Sequence, residues 1–302
     1  MTRTKKNSRA YWRDREVKHA KNVLKDDKKV ILKIVGLYRD TAREIEKEVN
    51  TMLSNYAGKE GLSLADVKKQ VNKTDIRDYE SKARRYVKEK NFSNRANKEM
   101  AIYNLKMKIS RLELIMHHIG LELTAMTDET DKLIYDRILN VGIDEVERQS
   151  GILGETIKVS KKDIEYIARR QFHGNDFSNR LWKNKKNLHR ELEERLTEQM
   201  IKGNNPRDAA RKLRSEIEQS VFNSERIMIA ESARVQSESQ LMSFEDIGIE
   251  EYEFISTEGA CKDCEPLDGK VFKVKDAMPG DNIPPVHPFC RCSAAAYIKR
   301  EE

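Results

Sequence analysis

With 36% charged and 38% hydrophobic side chains over 302 residues, and a mean hydropathy of -0.79, the chain carries too little apolar material for one broad core. Its 13 glycines and 6 prolines are too few for a loop-rich fold, so the composition predicts a mainly α protein of elongated helices burying narrow stripes. No apolar run approaches the roughly 20 residues of a membrane span, and no apolar segment follows the first basic residues, so the expectation is a soluble chain made in the cytosol with no membrane partner.

The net charge of +7 is concentrated at the start: residues 1–30 hold 11 Lys/Arg against 4 Asp/Glu, and the rest of the chain balances. Arg3, Lys5, Lys6, Arg9, Arg13 and Arg15, with Tyr11 and Trp12 among them, are candidate contacts to nucleic-acid phosphates or to an acidic partner. A solvated, fraying end explains the same residues equally well.

From residue 31 to 56 the apolar positions Ile31, Val35, Tyr38, Ala42, Ile45, Val49, Met52 and Tyr56 advance in alternating steps of four and three. That is a heptad seam, a rod of about 39 Å at 1.5 Å per residue. A second seam, Ile102, Leu105, Ile109, Leu112, Met116, Ile119, Leu123 and Met126, has the same spacing, and two matched seams predict antiparallel packing. Between them Gly58 and Gly61 break the first rod, and Ser63 to Asp66 reads as a capping box. His117 and His118 have no ligand-spaced Cys or carboxylate around them and read as helix-surface histidines. Residues 1–127 are thus a basic arm followed by a helical hairpin or bundle.

A helical middle region spans 128–248. Gly151 and Gly154 mark a loop, KKDIEYIARRQFHG restarts helix, and Asn179 to Ile247 holds two or more helices. Their joint lies where Gly203 ends one helix and Asn205 and Pro206 open the next.

After Gly248 the composition changes. EYEFIST alternates like a short strand, LDGKVFKV reads as half a hairpin, and five of the six prolines fall between 266 and 288. All four cysteines lie here, with Cys261 and Cys264 in CKDC and Cys290 and Cys292 in HPFCRC, led by His287. Five candidate ligands within 32 residues have the density of a closed tetrahedral zinc site, and residues 249–302 have too little apolar surface to fold without such a crosslink. The site would be structural. Zinc takes four ligands, and Cys261, Cys264, His287 and Cys290 repeat one i, i+3 spacing, with Cys292 able to replace either of the last two. Two disulfides are the rival reading, suited to an oxidising compartment.

The segment lacks the deaminase order of H-x-E before P-C-x-x-C, and no H-E-x-x-H, Walker loop or G-x-S-x-G occurs anywhere in the chain. No active site is expected, and the chain reads as a non-enzyme. Without further information, a cytosolic zinc-ribbon-like DNA-binding regulatory protein is a tenable alternative.

The ending CKDCEPLDGKVFKV…IPPVHPFCRCSAAAY resembles the C-terminal signature of the phage head morphogenesis or minor head proteins, the Mu F-like family. DFSNRLWKN (176–184), the 203 joint and the AARKL helix are similar to the family's middle portion. RIMIAESAR (226–234) matches its Arg…Thr-Glu…Arg helix through Arg226, Glu231 and Arg234, with Ala230 where the family carries Thr. The resemblance covers about 160–297 and implies a minor capsid protein of the virion, at the portal vertex in the phage head. It also implies contacts to portal, scaffold or major capsid protein, non-specific contact to DNA, and a role in head assembly and DNA packaging or delivery. For Arg226, Glu231 and Arg234 the residues alone predict ion pairing on the helix surface, or packing against the zinc knob.

Overall fold

The computed structural model describes residues 9–56, 73–90, 92–102, 110–172, 174–202, 205–257, 259 and 261–298. Within them the chain is mainly α: α1 (Arg9–Tyr56), α2 (Lys73–Lys90), α3 (Asn94–Ile102), α4 (Arg111–Leu153), α5 (Lys161–Arg169), α6 (Phe177–Ile201), α7 (Pro206–Gln219) and α8 (Val221–Asp246). A three-stranded sheet follows, with β1 (Glu251–Ile255), β2 (Val271–Lys273) and β3 (Ser293–Tyr297) in the order β2-β1-β3, antiparallel at both pairings. β1 is therefore the central strand. No helix among the described residues is long and apolar enough to cross a membrane.

The helix ends follow local chemistry. Ser160 caps α5 and forms a reciprocal box with Asp163, and Ser110 does the same for α4 with Glu113. Asn205 accepts from the Arg207 amide and Pro206 takes the first turn of α7, as the sequence predicts; Gly203 lies outside the described residues. The expected loop at Gly151 does not form. Instead α4 runs on to Leu153 and stops at Gly154, whose φ of 73° lets its amide bond back to the Ser150 carbonyl.

The chain divides into two compact units, each assembled from distant segments. One contains residues 33–132 and 178–224. Its core takes Tyr38, Ala42, Ile45, Val49 and Met52 from α1 and Met116, Ile119, Leu123 and Met126 from α4, all predicted seam positions and all buried. Ile34 is buried where Ile31 and Val35 were expected, and both of those are half-buried. Of the other seam and turn residues, Leu105, Ile109, Gly58, Gly61 and Ser63 to Asp66 lie outside the described residues, as do the side chains of Tyr56 and Ile102.

His118 corrects the surface reading: it is buried, edge-on to Tyr79 and 3.6 Å from Glu48. Burial offers the imidazolium no water, so its pKa is pushed down to about 4. Beside it Lys82 bridges Glu48 and Glu122, and the Tyr86 hydroxyl donates to Glu122.

The other unit contains residues 1–32, 133–177 and 225–302. Helix α8 is buried on nearly every side here despite its polar composition. Arg234, fully buried, donates to Glu231, Glu238 and the Ile167 carbonyl, so the Glu231/Arg234 pair is an interior network and not a helix-surface one. Close approach of α4 and α8 is permitted by Gly142, where a Cβ would lie 2.4 Å from Ile164 and 3.0 Å from Val235.

Candidate metal centre

Two turns build the site. β1 and β2 hold the first at its base: the Phe254 amide donates to Lys270, the Gly269 amide to Phe254, and the Ser256 amide to the Asp268 carboxylate. Asp268 (φ -55°, ψ 126°) followed by Gly269 (φ 72°) makes a type II turn, closed by the Lys270 amide on the Leu267 carbonyl. Such a turn needs a positive φ at its third residue, which is the physical reason for Gly in LDGK. The loop so stapled carries Cys261 and Cys264, themselves bent together by bonds from the Cys264 and Glu265 amides to the Cys261 carbonyl.

The second turn has the same logic with a less permissive residue. Pro288 pre-sets its first central position, Phe289 adopts φ 65° at the next, and the Cys290 amide returns to the His287 carbonyl. The His287 Nδ1 lies 2.7 Å from the Pro288 carbonyl, an acceptor that fixes the ring's orientation; a ring donating through Nδ1 would offer Nε2 to a metal.

These turns bring all five candidate ligands together. Ligand atoms of Cys261, Cys264 and His287 lie within 4.8 Å of one another, and so do those of Cys264, Cys290 and Cys292. Cys264 is common to both groups. The four cysteines are free thiols, and the Sγ atoms of Cys264 and Cys290 are 3.8 Å apart. A disulfide needs about 2.05 Å. Tetrahedral thiolates at about 2.3 Å from zinc sit about 3.8 Å from each other, which is the spacing found. Phe254 packs against Cys264 and Cys290, with Leu267, Phe272 and Val286 at the margin, so the sulfurs have an apolar surround.

The electrostatics agree with a cation site. The Cys292 thiol donates to Cys290 and holds it down to about 5, while burial and the neighbouring Cys290 push Cys264 up to about 12. Cys292 is also raised, as the donor to Cys290. Thiols crowded so that one ionises at its neighbours' expense are what a divalent ion resolves, by displacing their protons. The donor set fits a closed ion site; such an ion would crosslink the two turns.

Sequence reasoning missed the residues that hold this centre to α1. Asp27 accepts from Arg291, the residue between Cys290 and Cys292, at 3.1 Å, and Glu16 accepts from Ser293 at 2.9 Å. Asp268 accepts from Arg13 through both oxygens, at 2.8 and 2.7 Å. Of the predicted basic contacts, Arg13 is thus engaged within the chain and Arg15 lies over the Trp12 ring. Arg9 opens α1, with its side chain outside the described residues, as are Arg3, Lys5 and Lys6. Arg291 and Asp268 had one signal, their position inside the CRC and LDG motifs; Glu16 and Asp27 had none.

A helical protein ending in a small sheet domain with a clustered Cys/His set is the class that this fold and site define. Residues 190–295, about a third of the chain, match the family model described as Phage Mu protein F like protein. This part of the chain is similar to the Mu F-like family, and it contains every candidate metal ligand. No curated protein and no solved structure matches the chain.

Proposed function

We propose that the chain is a phage minor head (minor capsid) protein, acting at the portal vertex in head assembly and in DNA packaging or delivery. One observation carries this reading: the Mu F-like match, residues 190–295, takes in both turns on which the five candidate ligands converge. The bound ion would be zinc in a structural role, held by Cys261, Cys264, His287 and Cys290 or by a set that includes Cys292. Portal, scaffold and major capsid proteins are the expected partners, the virion the expected location after assembly in the host cytoplasm, and the basic residues 1–30 the part facing DNA. The role is architectural, not enzymatic.

The test is fractionation of assembling particles. We expect the chain to co-purify with procapsids and with portal complexes in a few copies per particle. Its absence from particles, together with tight sequence-preferring duplex binding, would favour a DNA-binding regulator instead.

A further inference from the structure

Helix α1 segregates its charges across its axis. Of the four acids in residues 1–30, Glu16 and Asp27 are buried and committed to Arg148, Arg137, Arg291 and Ser293. The lysines point the other way. Lys18, Lys21, Lys25 and Lys28 are exposed at spacings of three, four and three, which puts them on one stripe of the helix over about 15 Å. Asp14 occupies Lys18 and Asp26 occupies Lys29, each within hydrogen-bonding distance. Lys21, Lys25 and Lys28 make no hydrogen bond or ion pair among the described residues.

We infer that Lys21, Lys25 and Lys28 form a docking ridge for the phosphate backbone of duplex DNA. The inference rests on the reading of residues 1–30 as the DNA-facing part, and moves the contact from the arginines to this stripe. Arg13 is already neutralised by Asp268, so it has little charge to offer. The residue type selects the partner. Protein interfaces are depleted in lysine and anchored by aromatic residues and arginine, whereas backbone contact to DNA needs only mobile point charges at regular intervals.

The test uses the full chain, a mixed-sequence DNA duplex and anisotropy titrations across a salt series. Each phosphate contact contributes about 0.9 to the slope of log K against log salt, so Lys21→Gln/Lys25→Gln/Lys28→Gln should make the slope shallower by about 2.7. Over a fourfold rise in salt, wild-type affinity should then fall about 40-fold more than the variant's. Arg13→Gln should leave the slope unchanged. All three sites are solvated, so an unchanged far-UV CD spectrum should accompany the loss. If wild type binds and the triple variant keeps its slope, the ridge is wrong while the DNA-facing reading survives. No wild-type binding at all overturns both. Equal binding to poly-glutamate at matched salt would assign the ridge to an acidic protein surface and overturn the DNA assignment.

Discussion

Asp27 on α1 accepts a hydrogen bond from Arg291, 264 positions further along the chain and flanked by two of the clustered cysteines. The same carboxylate accepts from Arg137 on α4 at 2.8 Å, and it is 1% exposed. Eleven residues earlier, three turns away on the same helical face, Glu16 repeats the arrangement with Ser293 and with a two-pronged contact from Arg148. α1 thus holds α4 and the stapled domain through two buried acids.

Removing one partner of a buried pair leaves charges unsatisfied, so Asp27→Asn should destabilise the protein by about 3 kcal/mol. It should also speed protease cutting within 261–298. Denaturant midpoints and limited proteolysis, run side by side, check both effects; a variant as stable and as resistant as wild type would show that the ties are incidental.

Elemental analysis of purified chain should return one zinc per molecule. Cys264→Ser should abolish it, because Cys264 belongs to both triads, whereas Cys292→Ser should retain most of it. Since thiols bind zinc only after losing protons, affinity should weaken as pH falls, and a chromogenic chelator should strip the ion faster at pH 5.5 than at pH 7.5. Metal-free protein with fewer than four titratable thiols would support disulfides instead.

Gly142→Ala would put a methyl 2.4 Å from the Ile164 side chain. We expect a loss of about 1–3 kcal/mol from overpacking. Adding Ile164→Ala should cost less than the two single changes together, by at least about 0.5 kcal/mol in a double-mutant cycle, if that contact is the cause.

His118 should make stability pH-dependent. Its folded pKa is lowered to about 4, below the ordinary 6.5, so the unfolded chain takes up the proton first. The stability it contributes is present above about pH 6.5 and is lost as pH falls toward 4, a drop of about 2–3 kcal/mol. His118→Gln should flatten the curve of melting temperature against pH in that window, and an unaltered curve would remove His118 from the account.

Legibility in the sequence divided along physical lines. Wherever apolar residues alone define a face, as from Tyr38 to Met52, the spacing picks out the buried positions. Toward the start of α1 the buried face is occupied by Glu16 and Asp27, which a hydropathy pattern assigns to solvent because their arginine partners lie more than 100 residues away. The same blindness put Glu231, Arg234 and His118 on surfaces. β1 and β2 alternate and were readable, whereas β3, SAAAY, consists of residues with little strand preference and owes its state to five pairs with β1. The ligands announced themselves by spacing; the turns that aim them depend on Gly269 and on Phe289, and nothing in a lone Phe signals a positive φ.

The segmental make-up of the unit that carries the centre bears on biogenesis. Its parts come from residues 1–32, 133–177 and 225–302, so on the ribosome its earliest piece must wait for β3 before the acids of α1 meet Arg291 and Ser293. The unit built from 33–132 and 178–224 has all its parts some seventy residues sooner. Nascent chains should therefore pass through a state with one half closed and the other still soliciting chaperones.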